Sequence, residues 1–162
     1  MDATPTLADE RVPDASELAE LFNRADLRAG AIMALIGKAG LRPEVLGNHD
    51  ATDGLMIRDL PELEIVHGIA RFAEKPPKIV VRRNLSKAGH SYFSFITETG
   101  AEKILAYFNQ RMIDGEVLYP ESPVIAPFSK YRRFRGKNDG RKFLSTAIIE
   151  RDVRQTMRPR FK

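Results

Sequence analysis

Cysteine is absent from the 162 residues, which excludes a disulfide framework and any thiolate metal site. Histidine is scarce: His49, His67 and His90 follow no regular ligand spacing, so no structural metal is expected. There is no run of 18 or more apolar residues, and hence no expected membrane span. The opening "MDATPTLADERVPD" is acidic and polar, unlike a signal peptide, and together these absences predict a cytoplasmic protein. Internal repeats and low-complexity tracts are missing too. What remains is a chain of single-domain length whose 43% hydrophobic content is enough to bury a core.

The formal charge of +4 conceals an asymmetry. From Pro127 to Lys162 there are twelve Lys/Arg against three acids, so this segment carries +9 and the preceding residues −5. Its centre, "SKYRRFRGKNDGRK", interleaves Tyr131 and Phe134 with Lys130, Arg132, Arg133, Arg135, Lys137, Arg141 and Lys142 around a Gly/Asn/Asp loop. Such a mixture suits a phosphate backbone, and these seven cations are the candidate contacts to double-stranded DNA. A solvated basic loop is the alternative reading.

The apolar pattern divides the chain into alternating elements. Residues 1–14 read as a flexible arm and residues 15–162 as one domain. Ser16 is the expected cap of a helix through "ELAELFNR". A second helix, "LRAGAIMALIGKAG", carries Leu27, Ile32, Leu35 and Ile36 at helical spacing and stops at Gly40. Leu55, Met56 and Ile57 suggest a short strand. "KIVVRR" and "SYFSFIT", joined by "NLSKAGH", predict a β-hairpin with Lys87 in or beside its turn. Thr99 and Glu102 suggest a capping box for a helix with Ile104, Leu105, Phe108 and Met112 as its buried stripe and Gly115 as its stop. "ESPVIAP" reads as extended, and "FLSTAIIERDVRQTMR" as a last helix ending before Pro159. The predicted class is α+β, mainly helical, with a small antiparallel hairpin sheet.

In "GLRPEVLG", Arg42 stands between a helix-ending glycine and Pro43, which suits the first position of a short helix. An arginine fixed at such a corner suits an anion, although an exposed connection would look the same. Glu44, Asp50 and Asp53 cluster near His49, and "HDATDG" reads as a turn before it reads as a metal or acid–base site. "SKAGH" lacks the glycine spacing and Lys-Ser/Thr ending of a nucleotide cradle, so no nucleotide cofactor is expected.

The order of these features, a "GLR" turn after an apolar helix, a hairpin with "SKAGH", a long helix, a basic loop and a last helix, resembles the first half of the catalytic domain of the tyrosine recombinases. This is the phage-integrase family, and the archaeal-type integrases are the nearest in pattern. The resemblance spans about residues 16–162. It implies DNA integration and recombination, with Arg42 matching the family's phosphate-binding arginine and Lys87 its hairpin lysine. An always-charged guanidinium stabilises charge on nonbridging phosphate oxygens, and a lysine carries a transferable proton for a departing 5′ oxygen.

The family's His-x-x-Arg motif is missing, because His49, His67 and His90 are followed at the third position by Thr52, Ala70 and Phe93. Tyr131 precedes the last helix, the wrong order for the nucleophile, and Tyr92, Tyr107 and Tyr119 read as packing residues. Glu44 lies two residues after Arg42 where the family has an acid at three. The chain therefore reads as a truncated recombinase, inactive alone, whose missing half a second chain could supply. Truncation predicts that some of Ile32, Leu35, Phe108, Ile148 and Ile149 are exposed, and with them self-association or marginal stability. Two alternatives remain: a non-catalytic DNA-binding or recombination-directionality module with a closed, well-packed C-terminus, and an unrelated globular protein with a solvated basic face.

Overall fold

Carboxylates start the first two helices. In the computed structural model, which describes residues 13–127 and 143–158, Asp14 accepts the Glu17 N–H at 2.9 Å while Glu17 Oε2 accepts the Asp14 N–H at 3.0 Å. This reciprocal cap opens α1 (Ala15–Arg24). Ser16, the expected cap, is instead the second helical residue, because the Asp14/Glu17 pair satisfies two orphan N–H groups at once. Asp14, expected in the flexible arm, thus belongs to the helix cap, and residues 1–12 lie outside the described residues. Asp26 caps α2 (Leu27–Met33) through the Ala29 N–H at 2.8 Å.

α2 runs on into a π-helical turn, Ala34–Lys38, and stops at Gly40, whose φ of +71° favours glycine. Pro43 then opens α3 (Pro43–Leu46) as anticipated. Leu55, Met56 and Ile57 do not form a strand. Met56 makes a single bridge to Pro123, flanked by the Val124 N–H donating to the Leu55 carbonyl and the Ile57 N–H to the Ser122 carbonyl. Pro123 has no N–H with which to extend the ladder, and Ile57–Asp59 turn instead into a 3-10 helix.

Two antiparallel strand pairs follow. β1 (Leu63–Val66) and β2 (Ile69–Phe72) pair around His67 and Gly68, both at positive φ, the geometry of a type I′ hairpin. β3 (Lys78–Val81) and β4 (Tyr92–Phe95) form the expected hairpin, with Ile79 and Val81 fully buried. α4 (Glu98–Ile113) is capped by Thr97, which accepts the Gly100 N–H at 3.2 Å. Thr99 lies inside its first turn, so the Thr99/Glu102 box does not form. The buried stripe runs through Ala101, Ile104, Tyr107, Phe108 and Arg111, while Leu105 and Met112 are half-buried at its margin. The stripe is rotated because α4 packs on both α2 and β2.

Ser145 caps the last described helix, α5 (Thr146–Met157). The five helices and two strand pairs of the described residues make an α+β, mainly helical fold. The exposed apolar faces expected of a truncated domain are absent at four of the five positions: Ile32, Leu35, Phe108 and Ile149 are fully buried and Ile148 half-buried. α5 packs on α2 and α3 and contributes Ile149 to the core. Arg28, on α2, donates to Asp152, on α5, at 2.9 Å from Nε and 2.7 Å from Nη2. The segment leading into α5 approaches so closely that a Cβ on Gly47 would collide with the Leu144 carbonyl. No helix among the described residues is long and apolar enough to cross a membrane.

Arg111 forms the second buried cation site. It makes two 2.8 Å bonds to Glu116, donates to the Pro123 and Val124 carbonyls at 2.9 Å, and lies 5.2 Å over the Tyr107 ring. The Tyr107 hydroxyl in turn accepts the Ala126 N–H at 3.1 Å. Burial pushes the Tyr107 phenol up, although the neighbouring Arg111 charge opposes the shift.

Asp152→Ala removes the carboxylate that accepts two bonds from the Arg28 guanidinium, whose side chain is only 6% exposed. We expect a loss of about 3–5 kcal/mol in urea unfolding, with Arg28→Met/Asp152→Leu recovering most of it. Tyr107→Phe costs about 1 kcal/mol at neutral pH through the lost hydrogen bond. A phenol raised in the folded state contributes stability that is fully present below about pH 10 and is lost as pH rises through the folded value. The stability gap between wild type and Tyr107→Phe should therefore narrow in unfolding curves recorded above about pH 10.

Candidate functional site

The turn at residues 39–42 and the β3–β4 hairpin face each other across a groove of about 520 Å³. One wall comes from Arg42, Glu44, Val45 and Asn48; the other from residues 84–88 and Tyr92. Arg42 occupies the N-cap position of α3 with an extended backbone, and its side chain makes no capping bond. It is exposed and forms no ion pair among the described residues, Glu44 included. Lys87 is exposed in a turn closed by the Gly89 N–H donating to the Ser86 carbonyl at 3.2 Å, with Gly89 at φ +75°. The two cations singled out by the resemblance therefore line the same groove.

Two long-range latches fix the walls. At the hairpin base, Arg82 Nε donates to both Asp59 oxygens at 3.1 and 3.2 Å, while Nη2 donates to Asp53 at 3.1 Å and to the Gly54 carbonyl at 2.7 Å. Asp59 is 3% exposed and also accepts the Met56 N–H at 2.9 Å. Burial works against the Arg82 charge, but its hydrogen bonds to Asp53 and Asp59 prevail and hold the guanidinium above its ordinary value. On β4, Ser94 Oγ donates to the Ala39 carbonyl at 2.6 Å. The hairpin is thereby tied to the turn that carries Arg42.

The floor beside Arg42 is set by Asn48, whose Oδ1 accepts the Thr52 and Asp53 N–H groups at 2.8 and 3.1 Å. "HDATDG" is thus a side-chain-organised turn, with Ala51 at φ +60°. Behind it, Thr146 donates from Oγ1 to the Gly47 carbonyl at 2.7 Å and from N–H to the Asn48 carbonyl at 3.1 Å, docking the start of α5 on this loop. Among the described residues no cluster of three or more His, Asp or Glu side chains could hold a metal ion.

Of the tyrosines read as packing residues, Tyr107 is buried, but Tyr92 is 37% exposed in the groove and Tyr119 is 61% exposed. Tyr92 is the first residue of β4, where the core ends and the groove begins; Tyr119 lies in the loop before Pro120. The seven cations of the basic segment, Lys130, Arg132, Arg133, Arg135, Lys137, Arg141 and Lys142, lie outside the described residues, as does Tyr131. The sequence reading missed Arg82, Asp53, Asp59 and Ser94 as organisers of the site. The available signal was the "RR" pair ending a β-branched strand, where one arginine continues inward past the last buried valine.

Arg82→Gln removes the fork while keeping a polar side chain. We expect it to lower stability by about 1–3 kcal/mol and to speed amide hydrogen exchange selectively across residues 83–91. Uniform exchange throughout the domain would show that the latch acts on the whole fold rather than on the hairpin.

Comparison with known proteins gives no match to a family model, a curated protein or a solved structure.

Proposed function

We propose that this chain is a DNA-binding domain of tyrosine-recombinase type, in which Arg42 and Lys87 grip a backbone phosphate between the α3 corner and the hairpin turn. The observation that carries the reading is their meeting in one groove, though they are far apart in sequence and are held by separate elements. Both are exposed and free of acidic partners among the described residues, so their charge is available to an anion. The groove adds the Tyr92 side chain and the amide of Asn84, groups able to orient a phosphodiester without neutralising it. Lys130, Arg132, Arg133, Arg135, Lys137, Arg141 and Lys142 are assigned in this reading to the flanking phosphates of double-stranded DNA.

Strand cleavage is not assigned to this chain, since the sequence offers neither His-x-x-Arg nor a tyrosine in the nucleophile's order. A partner chain supplying these groups would complete a recombinase. The packing of α5 favours a second reading, a non-catalytic DNA-binding module. Phe143 and Leu144 are buried, and Ile149 is fully enclosed, so the last described helix is integrated into the core.

The test is fluorescence anisotropy of a labelled duplex across a salt series. Binding should weaken linearly with log salt, because each neutralised phosphate releases condensed cations. Arg132→Ala/Arg133→Ala/Arg135→Ala should reduce the slope by about 2–3, and Arg42→Ala/Lys87→Ala by about 1–2. Salt-insensitive binding, or binding untouched by both variants, would rule out a phosphate interface. Binding that survives with covalent trapping of a nicked duplex would show cleavage competence and remove the non-catalytic reading.

A further inference from the structure

The β3–β4 hairpin has an outer face that the groove does not use. Antiparallel register places Lys78 opposite Phe95 and Val80 opposite Phe93, so these four side chains share one face. Ile79 and Val81 are buried on the other face, where Ser94 bonds to the Ala39 carbonyl. On the outer face Phe93 is 60% and Phe95 47% exposed. The two rings are edge to face, 5.7 Å between centroids at 82°, and Lys78 Nζ lies 5.2 Å from the centre of the Phe93 ring. We propose that this face is a stacking platform for single-stranded DNA, with unpaired bases laid on Phe93 and Phe95 and the backbone drawn in by the hairpin's cations.

Charge complementarity selects this occupant. Between Lys75 and Ile96 the sequence has five Lys/Arg and no Asp or Glu. Arg82 is neutralised by Asp53 and Asp59, and Lys75 meets Glu98 at 3.8 Å, whereas Lys78, beside the rings, and Arg83 have no acidic partner among the described residues; Lys87 belongs to the groove. Two exposed rings on a sheet with lysine beside them present π-faces for bases and positive charge for phosphates. A second copy of the chain fits less well. A stable dimer buries about 800 Å² on each partner, and an aromatic side chain contributes about 150–250 Å² even when fully buried. Duplex DNA fits less well too, since its bases are stacked on one another and show only their edges.

The inference rests on the DNA-binding reading of this chain but concerns a different face and a different strand state, so the two can fail separately. The measurement is anisotropy of a labelled oligothymidine, an oligouridine of equal length and a duplex, at one low salt concentration. Phe93→Ala/Phe95→Ala should weaken oligothymidine binding by at least about tenfold, the loss expected when stacking on a ring is removed. Duplex affinity should stay within about twofold. Phe93→Tyr/Phe95→Tyr should restore the oligothymidine affinity, which separates loss of stacking from loss of fold. Duplex binding with no oligothymidine binding overturns the platform and leaves the groove reading standing; absence of both overturns both. An equal loss on duplex and single strand, a preference for oligouridine, or a dimer that dissociates in Phe93→Ala/Phe95→Ala without change in oligothymidine binding would each assign the face to another partner.

Discussion

One guanidinium joins the parts that make the groove. Arg82 leaves the end of β3 and bonds to Asp59 in the 3-10 turn, to Asp53, and to the Gly54 carbonyl. A lysine could not replace it, because the contacts require a planar fork reaching three acceptors in fixed directions. The dependence is mutual: Asp59 is nearly enclosed, and a carboxylate so buried is tolerable only with a cation and N–H donors around it. With both walls referred to this one side chain, the hairpin turn carrying Lys87 keeps a defined position relative to the loop that follows α3.

The opposite wall relies on a more distant part of the chain. α3 is a single turn of four residues, too short to hold a helical conformation by its own hydrogen bonds. Its start is preset by Pro43 and its end is pressed against α5, with Gly47 leaving no room for a side chain before Leu144. α5 is anchored in turn by Asp152 to Arg28 on α2, the helix whose π-helical extension leads into the Arg42 corner. The corner is therefore clamped between an element that precedes it and one that closes over it much later in sequence. This explains why the apolar faces expected to be bare are covered.

Much of this was legible because its signals are local. Gly40 and Pro43 punctuate the corner, β-branched runs mark β3, and apolar periodicity marks α4 and α5. The caps of α1 and α4 shifted by two residues because Asp14 and Ser16, or Thr97 and Thr99, are chemically equivalent candidates; the choice falls to whichever has extended backbone before the helix. β1 and β2 escaped notice since each is four residues long and Ile65, Val66 and Ile69 are exposed, so no clean alternation survives. Only the His67-Gly68 turn could have announced them. Beyond the "RR" pair that ends β3, the latches had no sequence signal, because a contact from Arg82 to Asp53 or from Ser94 to Ala39 is fixed by the fold and leaves no spacing in the sequence. The pairing of Arg42 with Lys87 was an expectation from the resemblance; the geometry adds that both line one groove.

Strand alternation gives the hairpin its two chemistries. Along β4, Tyr92 and Ser94 turn toward the groove and the Ala39 carbonyl, while Phe93 and Phe95 turn outward. A one-residue slip would exchange the faces, breaking the Ser94 bond and expelling Ile79 and Val81 from the core, so the register is strongly held. The fold consequently demands an outward residue at positions 93 and 95, but it does not demand an aromatic one. Threonine would serve the strand as well and would keep apolar surface out of water. The core beneath does not call for the two rings, which touch each other and Lys78 instead, and the proposed single-strand platform gives positions 93 and 95 a reason to be aromatic.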